Sequence, residues 1–259
     1  MRTVEEIYLK LDQIAPFRHA ASYDNCGVLV GDAEAKVTKA VVTLDISLDV
    51  VEEAKRKGAN LIISHHPVIF DPLKAVTKQN SPAVYEMVKN GINAVCAHTN
   101  FDLAEGGTND ILFEMLDLTE PKPLGPTSPV TQLSLGRIGK LERFMSPIEF
   151  VNYVKKSLFV GGVRFTLGSR SIKNVAICGG SGGSLYEIAH DSDVDAFVTG
   201  DVKHDIFVKA QNDGFTLVDA GHFSTEAGFI DVIIEKLSKS FGDLAFARAE
   251  ACVNPVKYL

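Results

Sequence analysis

The sequence is poor in several features that would have pointed to particular functions. No apolar run reaches the roughly eighteen residues that a membrane-spanning helix needs, so no membrane span is expected. The first residues, MRTVEEIYLKLDQI, lack the apolar core of a secretory leader. Their apolar positions Val4, Ile7, Leu11 and Ile14 follow a helical period instead. Basic residues are in deficit: 26 Lys and Arg stand against 33 Asp and Glu, a formal net charge of −7. Non-specific nucleic-acid binding depends on clustered cations that displace counterions, so this balance argues against it. The four cysteines, Cys26, Cys96, Cys178 and Cys252, form no CxxC pair. Three lie in apolar or strand-like runs and read as small core residues of a protein in a reducing compartment, with the cytoplasm as the expected location.

What is present suits a globular α/β protein. Hydrophobic residues make up 46% and charged residues 23% of 259 residues, enough for one large domain or two modest ones. Thr3 and Glu6 form a capping-box pair ahead of the first helix. The segments CGVLVG (26–31), KAVVTLD (39–45), NLIIS and INAVCA (92–97) read as strands. SLDVVEEAKRKG (47–58) reads as a helix stopped by Gly58, and Ser81-Pro82 opens another that ends at Gly91. TEPKPLGPTSPV (119–130), with four prolines and a glycine, is the candidate boundary. Beyond it the pattern resumes: a strand in QLSLGRIG, a helix in SPIEFVNYVKKSL (146–158), strands in KNVAICGG, DAFVTGD and FTLVDAGH, and a long helix over about 224–240. Strands alternating with helices predict parallel pairing through right-handed crossovers. The expected fold is therefore two similar α/β lobes with mostly parallel or mixed sheets. Residues 1–120 with 227–259 would form the first lobe, 130–226 the second, and 119–130 the linker.

Polar residues gather at the carboxyl ends of these strands, where parallel α/β sheets bind ligands. IISHHP, VCAHTNFD, VTGDVKHD and VDAGHFSTE each place His or Asp there. Four of the seven histidines, His65, His66, His98 and His222, directly follow apolar strands. Side chains of neighbouring residues on an extended chain point to opposite sides, and Pro67 keeps His66 out of the helical region. His65 and His66 would then hardly chelate one ion, though each could serve a different ion of a pair. Taken alone, the two read better as one packed and one exposed histidine. Asp102, four residues past His98, suits a hard or borderline divalent cation, with a turn or N-cap role as a fair competitor. His98 could ligate directly or orient a ligand or water from behind. His222 and Glu226 share a face if the helix has begun by His222; against this, Ser224 could be a plain N-cap and Glu226 a first-turn acid. Together, three histidines, an aspartate and a glutamate at strand ends favour a metal centre.

The glycine-rich CGGSGGS (178–184) could cradle phosphate or be a tight strand-to-helix turn. It is no P-loop, since the closing Gly-Lys-Ser/Thr is missing. Asp24, Asn25 and Asp45 read as turn and capping residues, and Asp201 and His204 either line the cleft or start a helix.

The ordered set DNCGVLVGD, SHHPVIF, HTNFD, CGGSGG, TGD and DAGHFSTE resembles the Nif-three-like family (NGG-interacting factor three), whose bacterial members carry the name GTP cyclohydrolase 1 type 2. The similarity runs from about Asp24 to Glu226, and the paired histidines with GHxxTE are its specific part. Some members carry a large central insertion for which this chain is too short. The resemblance implies a dinuclear metal site in a cleft between the lobes. In it His65, His66, Asp102, His222 and Glu226 would ligate two divalent ions (zinc, iron or manganese), and Glu226 would bridge them; His98 is our candidate for proton transfer or water orientation. It also implies a toroidal homohexamer. The functional expectation is a dinuclear-metal-dependent hydrolase acting on GTP or another nucleotide-like substrate through a metal-bound hydroxide. The alternative is a non-catalytic metal-binding or ring-forming scaffold that acts through partners. A nucleic-acid-threading ring, with Lys203, Lys209 and Arg170 facing inward, ranks third because of the overall charge.

Overall fold

The computed structural model describes residues 1–125 and 134–259. The chain divides into two compact units, Met1–Ala104 with Phe229–Val253, and Glu105–Gly228 with Asn254–Leu259. In chain order the first unit contributes α1 (Val4–Ile14), β1 (Gly27–Val30), β2 (Ala40–Thr43), α2 (Leu48–Arg56), β3 (Leu61–Ser64), α3 (Pro82–Lys89), β4 (Asn93–Cys96) and α4 (Thr99–Leu103). The second contributes α5 (Thr108–Met115), β5 (Thr119–Leu124), β6 (Gly136–Met145), α6 (Pro147–Ser157), β7 (Arg164–Phe165), β8 (Ile172–Ile177), α7 (Tyr186–Asp191), β9 (Ala196–Thr199), α8 (His204–Asn212), β10 (Thr216–Asp219) and α9 (His222–Glu226). The chain then returns to the first unit through α10 (Gly228–Ser240) and β11 (Phe246–Arg248).

The first unit is built on a sheet ordered β1-β4-β3-β2-β11, parallel throughout except where β1 runs against β4. Every residue of β2, β3 and β4 is buried. That is the signature of parallel strands covered on both faces, and it explains why NLIIS and INAVCA are continuous apolar runs without alternation. Val41, Ile62 and Ala94 pack with Val50, Val51 and Ala54 of α2 and with Val84 and Met87 of α3. Each fully buried Val, Ile or Met contributes about 1.5–3 kcal/mol. Thr3 and Glu6 close the expected capping box on α1, and Pro82 occupies the first turn of α3.

The second unit is a mixed sheet ordered β5-β6-β8-β9-β10-β7, in which β8, β9 and β10 are parallel and the remaining pairs antiparallel. Alternation along the parallel strands sends residues to two cores. Val175, Ile177, Val198 and Val218 meet Phe150, Val151 and Val154 of α6. Ala176, Phe197 and Leu217 meet Tyr186 and Ala189 of α7 and Ala210 of α8 on the other face.

The α/β class with mixed sheets is thus as expected, and two details differ. Thr119–Leu124, within the stretch read as a linker, is a strand paired with β6. Pro121 and Pro123 are tolerated there because β5 is the sheet's edge, where a missing N–H breaks no ladder. The rest of that stretch, 126–130, and the start of QLSLGRIG fall outside the described residues; β6 begins at Gly136. The helix expected over about 224–240 is two helices, starting at His222 and interrupted at Ala227.

Candidate functional site

In the first unit the parallel order β2-β3-β4 puts three strand ends side by side, and each delivers a polar residue. Asp45 follows β2, His65 and His66 follow β3, and His98 follows β4. Backbone pairing continues past the strands and fixes them: the His65 N–H donates to Thr43 O (3.2 Å), the His66 N–H to Leu44 O (2.9 Å), and the Ala97 N–H to Ser64 O (2.9 Å). Consecutive N–H groups of a regular strand point to alternate sides, so two in a row reaching the same neighbour mark a bend. Residues 65 and 66 do form a bend, and the Ser64 hydroxyl closes it by donating to the His66 carbonyl at 2.8 Å. The expected extended geometry is therefore overturned. The two rings do not diverge; their centroids lie 5.1 Å apart, and that of His98 lies 5.2 and 5.5 Å from them. Each of the three offers a ring nitrogen, all within 4.8 Å of one another.

The imidazoles share a second feature. Nδ1 of His65 faces Ala97 O at 2.9 Å, Nδ1 of His66 faces Asp45 Oδ1 at 2.8 Å, and Nδ1 of His98 faces Asp24 Oδ1 at 2.9 Å. Carbonyl and carboxylate oxygens only accept, so Nδ1 carries the proton and Nε2 of a neutral ring carries the lone pair. This is the usual support behind metal-bound histidines. His65 is fully buried, with Phe229 at 4.9 Å between ring centroids. Its Nε2 lies 3.3 Å from Asp102 Oδ1. Two ligands held about 2.0–2.1 Å from a tetrahedral ion lie about 3.3–3.4 Å apart, so the spacing fits a shared cation. Asp102 sits within α4, whose N-cap is His98, and the N-cap of the next helix is Gly107.

Asp24 is the hub of this edge. It accepts from His98 Nδ1, from the Thr99 N–H (3.0 Å) and hydroxyl (2.5 Å), from the Asn25 N–H (2.8 Å) and from the Cys26 thiol (3.0 Å). Burial raises its pKa, but the His98, Cys26 and Thr99 hydrogen bonds together bring it well below the usual carboxylate range.

The second unit repeats the arrangement on β8-β9-β10. His222 opens α9 and Glu226 ends it, one turn apart, with His222 Nε2 3.0 Å from Glu226 Oε2. His222 Nδ1 is held by Asp201 Oδ2 at 2.7 Å. Burial lowers the His222 pKa, but the Glu226 and Asp201 carboxylates outweigh it and raise it to about 9. Ser224 is not the N-cap; Gly221 occupies that position. Glu226 is only 3% exposed, and the glycine loop explains how it fits. Gly180, at φ +63°, lies so close that a Cβ there would stand 2.2 Å from Glu226 Oε1. Gly200 likewise leaves room for the backbone at 221–222, where a Cβ would stand 2.6 Å from the His222 nitrogen. Three loop N–H groups are engaged: Gly179 donates to Asn109 Oδ1 (2.9 Å), Gly180 to Thr225 Oγ1 (3.0 Å) and Gly182 to Thr199 Oγ1 (2.9 Å). The loop is a close-packed support for α9, and this engagement favours the turn reading over a phosphate cradle.

Asp24, Asp45 and Asp201, which face ring nitrogens of His98, His66 and His222, are the residues of the candidate site that sequence reasoning undervalued. The available signal was position, since Asp45 and Asp201 stand two residues beyond β2 and β9, alongside the histidine-bearing ends. His204 begins α8, and of the cations considered for nucleic acid, Lys209 pairs with Glu187 (2.6 Å) and Arg170 lies 4.0 Å from Asp193.

Known proteins resemble this chain along nearly its whole length. A sequence profile of the Duf34/NIF3 (NGG1p interacting factor 3) family matches residues 2–255. Proteins named GTP cyclohydrolase 1 type 2 homolog are 30% identical in Clostridium perfringens, over 96% of this chain and 97% of that protein, and 33% identical in Lactococcus lactis, over 97% and 98%. Among solved structures, a hypothetical protein of Staphylococcus aureus superposes with a TM-score of 0.90 at 26% identity, covering 99% of each chain. Reduced HcgD from Methanocaldococcus jannaschii does so with a TM-score of 0.80 at 29% identity, covering 96% of this chain and 98% of that one. With the profile spanning nearly the whole chain, this protein belongs to the Duf34/NIF3 family.

Proposed function

We propose that His65, His66, Asp102, His222 and Glu226 together hold two divalent cations per chain, zinc, iron or manganese, and that the protein is a metal-dependent hydrolase of a nucleotide-like substrate. The observation that carries this reading is the common orientation of the imidazoles. In both units Nδ1 is engaged by a carboxylate or carbonyl, and His65 and His222 each bring Nε2 within 3.3 Å of a carboxylate oxygen. Imidazole nitrogen and carboxylate oxygen in one set suit these borderline cations, with His222, raised to about 9, giving up its proton on binding. Bound ions supply Lewis acidity, by which water becomes reactive near neutral pH.

The chain's own residues do the rest. Asp45 and Asp201 orient His66 and His222, Ala97 O orients His65, and Phe101 and Phe229 keep the His65 side dry. His98, 19% exposed in its side chain, has Nδ1 fixed by Asp24 and moves a proton through Nε2. The name carried by the curated relatives makes GTP the first substrate to try, and self-association into a ring accompanies the reading.

Elemental analysis of protein purified without added metal tests it: about two ions per chain, lost in His65→Ala and Glu226→Ala, are expected. Metal-replete protein that releases no formate from GTP would remove the cyclohydrolase substrate while leaving the metal centre. A Glu226→Gln protein that loses its metal and keeps its cellular role would favour a scaffold over an enzyme. Sedimentation reads the oligomer directly.

A further inference from the structure

Two cysteines in the first unit take no part in the scheme above. Gly27 on β1 pairs with Cys96 on β4 in the antiparallel ladder, which places Cys26 one residue from the partner of Cys96. Paired Cα atoms in such a ladder lie about 4.5–5.5 Å apart. Disulfides join Cα atoms about 4.4–6.8 Å apart, and Cys26 stands next to the residue paired with Cys96. The two thiols lie close enough for each to influence the other's ionisation. Cys26 is partly exposed, whereas Cys96 is buried. An accessible thiol beside a buried one is the layout of an attacking and a resolving cysteine.

We propose that Cys26 and Cys96 form a peroxide-oxidisable pair whose closure to a disulfide loosens the imidazole cluster of the first unit. The Cys26 sulfur attacks a hydroperoxide oxygen: an S–O bond forms, the O–O bond breaks, and the sulfur loses two electrons to the peroxide, which leaves as water or an alcohol. The Cys96 sulfur then attacks the Cys26 sulfur. The S–S bond forms, the S–O bond breaks, and hydroxide departs with the thiol proton as water. Two thiols and one hydroperoxide thus give one disulfide, one water, and one water or alcohol. In a reducing compartment such a disulfide is the transient, signalling kind.

The coupling follows from what each sulfur holds. The Cys26 thiol donates to Asp24 Oδ2 at 3.0 Å, and Asp24 is the anchor of His98 and Thr99. The Cys96 thiol donates to the carbonyl of His65 at 3.0 Å. A disulfide has no S–H, so both bonds vanish together, one beneath His65 and one beneath His98. This coupling rests on the metal reading; the disulfide itself does not.

The test treats the whole chain with a small excess of hydrogen peroxide, alkylates it, and maps its peptides. The expected product is a joined Cys26–Cys96 peptide pair, 2 Da lighter than its two free-thiol peptides, with Cys178 and Cys252 alkylated. In Cys96→Ser, oxidation is expected to stop at Cys26, 16 Da heavier, and in Cys26→Ser Cys96 is expected to stay reduced. Alkylation of all four cysteines after treatment, or a bridge to Cys178 or Cys252, overturns the pair. Zinc titration of reduced and oxidised protein then reads the coupling, with affinity expected to fall at least tenfold on oxidation and to recover with dithiothreitol. Equal affinity in the two forms overturns the coupling. If neither form binds zinc, iron or manganese, it is the metal reading that fails, and the peptide map still decides the pair.

Discussion

Gly180→Ala separates what the fold needs from what the candidate site needs. Two costs arise at this position. The first is conformational: an L-residue held at φ +63° loses about 1–2 kcal/mol relative to glycine. For a protein of this size that lowers the melting temperature by roughly 2–4 °C per kcal/mol. The second is local: the new Cβ would stand 2.2 Å from Glu226 Oε1, while ordinary contact begins near 3.4 Å, so the carboxylate must retreat by about 1.2 Å. That retreat is cheap for the fold, since only the end of a side chain turns, but metal ligation tolerates about 0.2 Å. Gly214→Ala is the matched control. It has φ +62° and nothing within 4 Å of the added carbon, so it carries the first cost alone. Both variants are expected to melt a few degrees below the parent by calorimetry, and only Gly180→Ala is expected to lose metal by elemental analysis. Equal metal content in the two variants would refute the placement of Glu226 as a ligand.

Other perturbations follow from the same geometry. Asp201→Asn weakens the acceptor behind His222 Nδ1, and metal affinity is expected to fall about 10–100-fold in a competition titration, with little change in melting temperature. Glu53, 3% exposed, accepts from the Glu250 N–H (2.9 Å), the Ala251 N–H (2.7 Å) and Lys57 (2.6 Å), so Glu53→Gln is expected to cost about 1–3 kcal/mol at neutral pH in chemical denaturation. Burial raises the Glu53 pKa, but its hydrogen bonds bring it below its ordinary 4.5. Its stabilisation is therefore complete above that value and is lost as pH falls through the lower folded value. The gap between parent and Glu53→Gln should narrow in that acid range; a gap that widens there contradicts the assignment. Phe150→Ala, at a fully buried position of α6, is expected to destabilise the protein by about 3–5 kcal/mol without altering the ligands, as read by denaturation and metal content.

Much of the architecture was legible in the sequence because it is local. The capping box at Thr3, the Pro82 start, the Gly58 and Gly91 stops and the apolar strands depend on residues a few positions apart, and they recur in the structure. The β5 strand was not legible. Its prolines read as punctuation, and only the edge position beside β6, set by pairing partners distant in sequence, makes them compatible with a strand.

The candidate site divides along the same line. By itself the sequence determined that His65, His66, His98 and His222 end apolar strands, because burial of a parallel sheet forces such runs and leaves the polar residues beyond them. It also determined that His222 and Glu226 share a helical face, since their spacing is one turn. Tertiary structure alone decided which acceptor each ring faces. Asp24 and His98 are 74 residues apart and Asp45 and His66 are 21 apart, and only the pairing of β1 with β4 and of β2 with β3 brings their neighbourhoods together. It also decided that His65 and His66 turn their rings to one side. The direction of a side chain past a strand end is set by the hydrogen bonds of the adjacent strand, and no pattern of neighbouring residues encodes them.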